Sequence, residues 1–327
     1  MATADQVKAL VRSHADGDDS HFYAVAMQVA ARAAKAGQSR FAQELRDLVD
    51  SGKTESRQME RQVRPIPVTQ PKGDLAGLIA VSYPEERFGD LVVEPRVRAV
   101  LERVLTEQRQ QDRLREYGFD PVRSILLIGP PGTGKTLSAS VIAGELHLPL
   151  FVIRLDAVIT KFMGETSAKL RVIFDAAEET RGIYFFDEVD ALAGDRSSPN
   201  DVGEIRRVLN SFLQFLEQHR SPSMLAAATN HPQLLDRAMF RRFDTVLEYS
   251  LPTADQAGQV IHNRLASLST RGFNWKRIDQ AAVDLSHSEI TLACEVAAKQ
   301  AILSGTPRIT TEALVAALEE RRHSRLR

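Results

Sequence analysis

The chain has 327 residues, 43% of them hydrophobic and 26% charged, which is ordinary globular composition at a length for two or three compact units. Its formal net charge of -1 supplies no global basic field for nucleic acid, so that class of partner is disfavoured. The single cysteine, Cys294, excludes an intrachain disulfide and suits a reducing compartment.

The N-terminal stretch carries Asp5, Asp16, Asp18 and Asp19 without an apolar run, unlike a signal peptide. No segment approaches the ~18 apolar residues of a membrane span. A cytoplasmic protein without a membrane partner is expected. Phe22, Val25, Val29 and Ala33, then Phe41, Leu45 and Leu48, recur at helical spacing. Gly37 separates the two stripes and Ser39 can cap the second. Residues 1–50 therefore read as a small helical domain of marginal independent stability. Gly52, Pro65, Pro67, Pro71 and Gly73 punctuate a linker over 51–82, with a loop packed on the main domain as the alternative.

The body begins near Tyr83-Pro84 with an amphipathic pattern from Glu94 to Tyr117. Candidate strands follow at Ser124–Ile128, Leu150–Leu155, Ile183–Phe186, Met224–Ala228 and Thr245–Tyr249. Most are continuous apolar runs, the mark of strands covered on both faces, and the segments between them have helical crossover length. A largely parallel α/β/α sheet over 83–251 is predicted. Beyond Pro252 four helical patterns, at 254–268, 275–285, 289–303 and 310–324, make a C-terminal helical unit over 252–327. Cys294 sits among Ala293, Val296 and Ala297 there as a core residue.

Gly129-Pro130-Pro131-Gly132-Thr133-Gly134-Lys135-Thr136 fits the phosphate-loop pattern G-x-x-x-x-G-K-[ST]. It follows the apolar strand and opens a helix at Leu137. Glycines let successive N–H groups turn toward phosphate, and the helix N-terminus adds partial positive charge. Lys135 can reach the β- and γ-phosphates, and the Thr136 hydroxyl can ligate Mg²⁺. The cofactors expected are ATP and Mg²⁺. Farther on, Asp187-Glu188 closes an apolar strand with two carboxylates that need partners. Asp187 is assigned to the metal and Glu188 to polarising the attacking water.

Together with Ala228-Thr229-Asn230 and Arg241-Arg242-Phe243-Asp244, these motifs resemble the AAA+ ATPases over residues 83–320, most closely the protein-remodelling branch. The resemblance implies a P-loop NTPase α/β/α domain with a C-terminal helical lid, assembled as a homo-hexameric ring with nucleotide between subunits. Asn230 would be the polar sensor that positions water or γ-phosphate. Arg241 and Arg242 would be the arginine fingers acting on a neighbouring subunit; relatives separate these arginines by Pro-Gly, so which of the adjacent pair reaches phosphate stays open. In the lid, Leu285-Ser-His-Ser288-Glu289-Ile290 resembles a helix start of the Ser-Gly-Ala-Asp-Ile type. The small Ser288 stands where other branches carry a sensing arginine, and His287 reads as a surface or adenine-adjacent residue. Lys161, Phe162, Met163 and Gly164 match a loop facing the central pore, where Phe162 would grip a polypeptide substrate. The loop from Ala193 to Gly203 reads as a second pore loop or as a surface connection. The run from His21 to Ala31 is similar to bacterial AAA+ proteins that work with a subtilisin-like protease in anti-phage defence, which adds such a protease as a candidate partner. A nucleic-acid motor and a nucleotide-switched scaffold are the alternative functions.

Overall fold

The computed structural model describes residues 73–159, 163–193, 201–305 and 308–324. Their centre is a sheet of six strands: β1 (Ile79–Ser82), β2 (Ser124–Ile128), β3 (Leu150–Ile153), β4 (Ile183–Phe186), β5 (Met224–Thr229) and β6 (Thr245–Glu248). They lie in the order β1-β3-β4-β5-β2-β6. All pairings among β2 to β6 are parallel, as crossover helices require. The apolar runs of β2, β4 and β5 are buried almost throughout, which matches their lack of alternation.

The strand β1 was not expected. Residues 79–82, read from the sequence as the end of the 51–82 linker, pair antiparallel with β3 from Ile79↔Ile153 to Ser82↔Leu150. A four-residue Ile-Ala-Val-Ser run carries little pattern of its own, and the open edge of β3 is what makes it a strand. The α/β domain thus begins before residue 83.

Eleven α-helices are described: α1 (Pro95–Arg109), α2 (Gln111–Glu116), α3 (Lys135–Leu146), α4 (Leu155–Val158), α5 (Met163–Glu179), α6 (Asp201–Gln218), α7 (Arg237–Phe240), α8 (Ala254–Arg264), α9 (Trp275–Ala282), α10 (His287–Leu303) and α11 (Thr311–Ser324). The amphipathic pattern expected to run through Tyr117 breaks at Gln110, where φ is -108° and ψ 25°, so it forms α1 and α2. On one sheet face Tyr184 and Phe186 project two residues apart. There Phe186 meets Phe174 of α5 at 5.8 Å and Phe212 of α6 at 5.2 Å between ring centroids. Replacing such an aromatic residue with alanine costs about 3–5 kcal/mol, so this cluster holds α5 and α6 onto the strand that ends in the acidic pair.

Helices α8 to α11 enclose a second core around Ile261, Ile278, Leu285, Ile290, Leu314 and Leu318, with Val92 packed against it. Two of these helices start with reciprocal capping boxes, Thr253 with Gln256 and Ser286 with Glu289, each satisfying orphan N–H groups. Among the described residues no helix is long and apolar enough to cross a membrane.

Cys294 lies fully inside the lid core, and burial pushes its thiol up to about 12. At pH 8 the folded protein should therefore react with a maleimide at least ~100-fold more slowly than the same chain unfolded in guanidinium, because only the thiolate attacks. Thiol titration against time measures this, and equal rates would show that the helical core is not formed.

Candidate functional site

The phosphate loop takes its shape from three glycines with positive φ: Gly129 at 147°, Gly132 at 73° and Gly134 at 101°. At two of them packing also excludes a side chain. A Cβ on Gly129 would lie 2.3 Å from the Tyr249 carbonyl oxygen, and one on Gly132 would lie 2.7 Å from Ser286 Oγ. Thr133 is buried and donates its hydroxyl to the Pro130 carbonyl at 2.8 Å. Pro131 is exposed on the rim, and Leu137 is partly buried in the first turn of α3.

Lys135 opens α3 and is only 6% exposed. Its Nζ donates to the carbonyls of Gly129 at 2.8 Å and Pro130 at 2.7 Å. Burial lowers its pKa, and the nearby charges of Asp187 and Asp190 act in the opposite direction. A desolvated ammonium that faces a helix N-terminus is suited to phosphate. Thr136 Oγ1 donates to Asp187 Oδ2 at 3.1 Å, so the two side chains assigned to the metal are in direct contact. Among the described residues no cluster of three or more His, Cys, Asp or Glu could cage an ion. One hydroxyl and one carboxylate fit Mg²⁺, which takes few protein ligands and draws the rest from phosphate and water.

Glu188 leaves β4 in the left-handed region, φ 52°, a conformation that costs a non-glycine residue about 1–3 kcal/mol. Its N–H donates to Asp187 Oδ1 at 3.0 Å, and its carbonyl accepts from Ala191 N at 2.8 Å. That bond starts the 3-10 turn Val189–Ala193. The turn leaves the Glu188 side chain exposed and Asp187 partly buried. Asn230 follows β5 directly. In the ladder Ile128 pairs with Thr229, and Gly129 N donates to the Thr229 carbonyl at 3.3 Å. The proposed sensor therefore emerges beside the first glycine of the loop, and all these groups share one edge of the sheet.

Arg241 and Arg242 are on the other edge. They precede β6, which runs parallel to β2, and Asp244 accepts hydrogen bonds from Arg123 N at 2.8 Å and Ser124 N at 2.9 Å. Asp244 N in turn donates to Ser124 Oγ at 3.0 Å. The arginines thus sit where β2 starts, and the phosphate loop sits where it ends. At ~3.3 Å per residue the five-residue strand separates them by roughly 16 Å. Arg241 is exposed, and the partly buried Arg242 forms an ion pair with Glu217 of α6.

The lid touches the loop directly. Ser288 N donates to the Gly132 carbonyl at 3.0 Å, and His287 lies near Thr133, Tyr249 and Gln256. Both imidazole nitrogens of His287 are buried without a protein partner, and burial lowers its pKa. It is a half-buried residue whose ring nitrogens turn into the lid contact rather than to the surface.

Lys161 and Phe162 lie outside the described residues. The next helix begins at Met163, so Met163 and Gly164 occupy its first turn rather than a loop. Residues 194–200 of the suggested second loop are also outside the description. Sequence reading missed three residues that organise the site: Asp190, Thr229 and Asp244. Thr229 and Asp244 stood inside quoted motifs, and a hydroxyl or carboxylate at a strand terminus was the available signal.

The model of the ATPase family associated with various cellular activities (AAA) matches residues 125–251. The AAA family ATPase y4kL of Sinorhizobium fredii is 33% identical over 321 residues, covering 98% of this chain and 96% of that protein. This chain belongs to the AAA ATPase family. Other relatives match a smaller share of the chain. A proteasome-activating nucleotidase of Methanoregula boonei is 29% identical over 256 residues, covering 75% of this chain and 58% of its own length. The ATP-dependent zinc metalloprotease FtsH 3 of Sphaerobacter thermophilus is 33% identical over 195 residues, covering 58% of this chain and 40% of its own. The chain thus spans well under two thirds of both. The crystal structure of the FIGL-1 AAA domain overlays with a TM-score of 0.61 at 22% identity, covering 78% of this chain and 91% of that one, which establishes the P-loop NTPase fold.

Lys135→Ala is expected to weaken ATP binding at least ~10-fold, since a charge-assisted hydrogen bond contributes about 1.5–3 kcal/mol. Calorimetric titration reads the loss, and circular dichroism should show the fold retained. Unchanged affinity would place the triphosphate elsewhere.

Proposed function

We propose that this AAA ATPase is one subunit of a homo-hexameric ring that hydrolyses ATP, with Mg²⁺, to pull on polypeptide substrates. The observation that carries the reading is the position of Arg241 and Arg242, at the sheet edge opposite the phosphate loop of the same chain. An arginine roughly 16 Å of strand away cannot reach its own γ-phosphate. It suits a phosphate held by a neighbouring subunit, where a finger supplied in trans is worth about 10³–10⁵ in rate. Arg241 is the more available of the pair, because Arg242 is engaged by Glu217.

Within one subunit, loop N–H groups and Lys135 would hold the β- and γ-phosphates. Thr136 and Asp187 would hold Mg²⁺, which when bound draws charge from the phosphate oxygens. Glu188 would accept the proton of the attacking water and Asn230 would orient it. Water oxygen then bonds to the γ-phosphorus as the bond to the bridging oxygen breaks, leaving ADP and phosphate. Ser288, donating to Gly132, offers the route by which loss of the γ-phosphate moves the lid.

The work done is read from the relatives, whose names record proteasome activation and ATP-dependent proteolysis. Phe162, with Lys161, Met163 and Gly164, is the proposed polypeptide grip, and residues 1–50 the partner or substrate domain. A subtilisin-like protease in bacterial defence is one candidate partner, which would supply the proteolysis. Cytoplasmic location follows from the same reading.

Glu188→Gln should bind ATP normally, lose steady-state hydrolysis by ~100-fold or more and trap polypeptide when incubated with an unfolded protein. Stimulation of the wild type by DNA instead of unfolded protein would favour the nucleic-acid motor. Phe162→Ala should keep basal hydrolysis and lose unfolding of a fluorescent protein substrate; retained unfolding removes the grip assignment. Arg241→Ala subunits should regain turnover when mixed with Lys135→Ala subunits, each supplying what the other lacks, and absence of complementation at every ratio would argue against action in trans.

A further inference from the structure

The β4–β5 ladder ends at Phe186↔Ala227. Glu188 and Asn230 both lie beyond it, so main-chain pairing does not fix the distance between the water-activating carboxylate and the sensor amide. A side-chain link does cross the gap. Thr229 is 1% exposed, and its Oγ1 donates to Asp190 Oδ1 at 2.6 Å and accepts from His231 N at 2.9 Å. Its carbonyl accepts from Gly129 N. One residue therefore joins the turn after Glu188, the backbone on the far side of Asn230 and the first glycine of the phosphate loop. The hydroxyl has one proton and gives it to the carboxylate, so its lone pair faces the His231 amide and both bonds have a fixed direction.

We propose that Asp190 and Thr229 form a positioning clamp that sets Glu188 and Asn230 relative to the γ-phosphate and the attacking water. Neither side chain is assigned contact with nucleotide. The proposal rests on the reading that Glu188 and Asn230 act at that water. Thr229 is the pivot: it holds the backbone immediately before and immediately after Asn230, while Asp190 anchors the strained turn that Glu188 begins. Small errors in such placement are expensive, about 10²-fold in rate for 1 Å, whereas the loop N–H groups and Lys135, which hold phosphate in this reading, are not bonded to the Thr229 hydroxyl.

Turnover, ATP affinity and melting temperature of the full-length chain test this. Thr229→Val and Asp190→Ala should each lower kcat at least ~10-fold, and Thr229→Val, which removes no charge near Lys135, should keep ATP affinity within about two-fold of wild type. Thr229→Ser, which keeps the hydroxyl, should recover most of the rate, and Asp190→Asn, which keeps an acceptor, should fall less than Asp190→Ala. The double variant Thr229→Val with Asp190→Ala should be no slower than the worse single one, as expected of two ends of one bond. Unchanged kcat in Thr229→Val overturns the clamp, as do multiplying losses in the double variant. So does a joint fall of affinity and melting temperature that Thr229→Ser shares, which marks a role in stability alone. Glu188→Gln and Asn230→Ala run alongside: if both hydrolyse ATP normally, the site reading fails and the clamp with it. If they are slow while Thr229→Val is normal, only the clamp fails.

Discussion

The parallel ladder around β2 governs everything else in the ATPase domain. Because β3, β4, β5 and β2 point the same way, whatever follows their last residues emerges on one edge. The phosphate loop, the acidic pair and Asn230 are such residues. Their meeting is a consequence of strand direction rather than of any attraction among them. The same ladder sends Arg241 and Arg242, which precede a strand, to the opposite edge. A single chain therefore holds a phosphate loop and a pair of arginines at opposite ends of β2, and that separation is what the proposed ring explains.

Main-chain pairing reaches only as far as the strands do. Past their ends the site is set by side-chain and loop contacts: Lys135 on two loop carbonyls, Thr136 on Asp187, Thr229 on Asp190. Each of these pairs joins residues from different elements, except the lysine, which folds back on its own loop. Burial weakens the hold of Lys135 on its proton while Asp187 and Asp190 oppose that effect. Asp187 and Asp190 thus act electrostatically on the loop lysine. The left-handed Glu188 is the one strained non-glycine residue among them, tolerated because the 3-10 turn and the Asp187 carboxylate both bond its backbone.

The lid is a separate core with a narrow attachment. Its capping boxes start helix α8, where the chain leaves the sheet, and helix α10, and the second box places Ser286 and Ser288 against Gly132. Glycine is needed there twice over, for its positive φ and for the missing Cβ. A loop that closes on phosphate and a helix that starts on that loop share one carbonyl. In the proposed reading that carbonyl would link nucleotide state to lid position.

The sequence by itself determined the fold class, five of the six strands, the C-terminal helices and the position of the glycine-rich loop and the acidic pair at strand ends. Those features are local: a buried parallel strand is a continuous apolar run, and a phosphate loop needs its glycines, lysine and threonine in consecutive order. Helices α1 and α2 were legible as one pattern but not as two, because Thr106 to Arg113 holds no apolar residue whose spacing could mark the break at Gln110. Tertiary structure decided the rest. It made a strand of residues 79–82 by offering them the edge of β3, took His287 inside the lid contact, and gave Thr229 two partners that a reading of Ala-Thr-Asn could not supply. It also set the arginines a strand's length from their own loop. Residues distant in sequence meet through ladder register and packing, and neither is written in the spacing of any one segment.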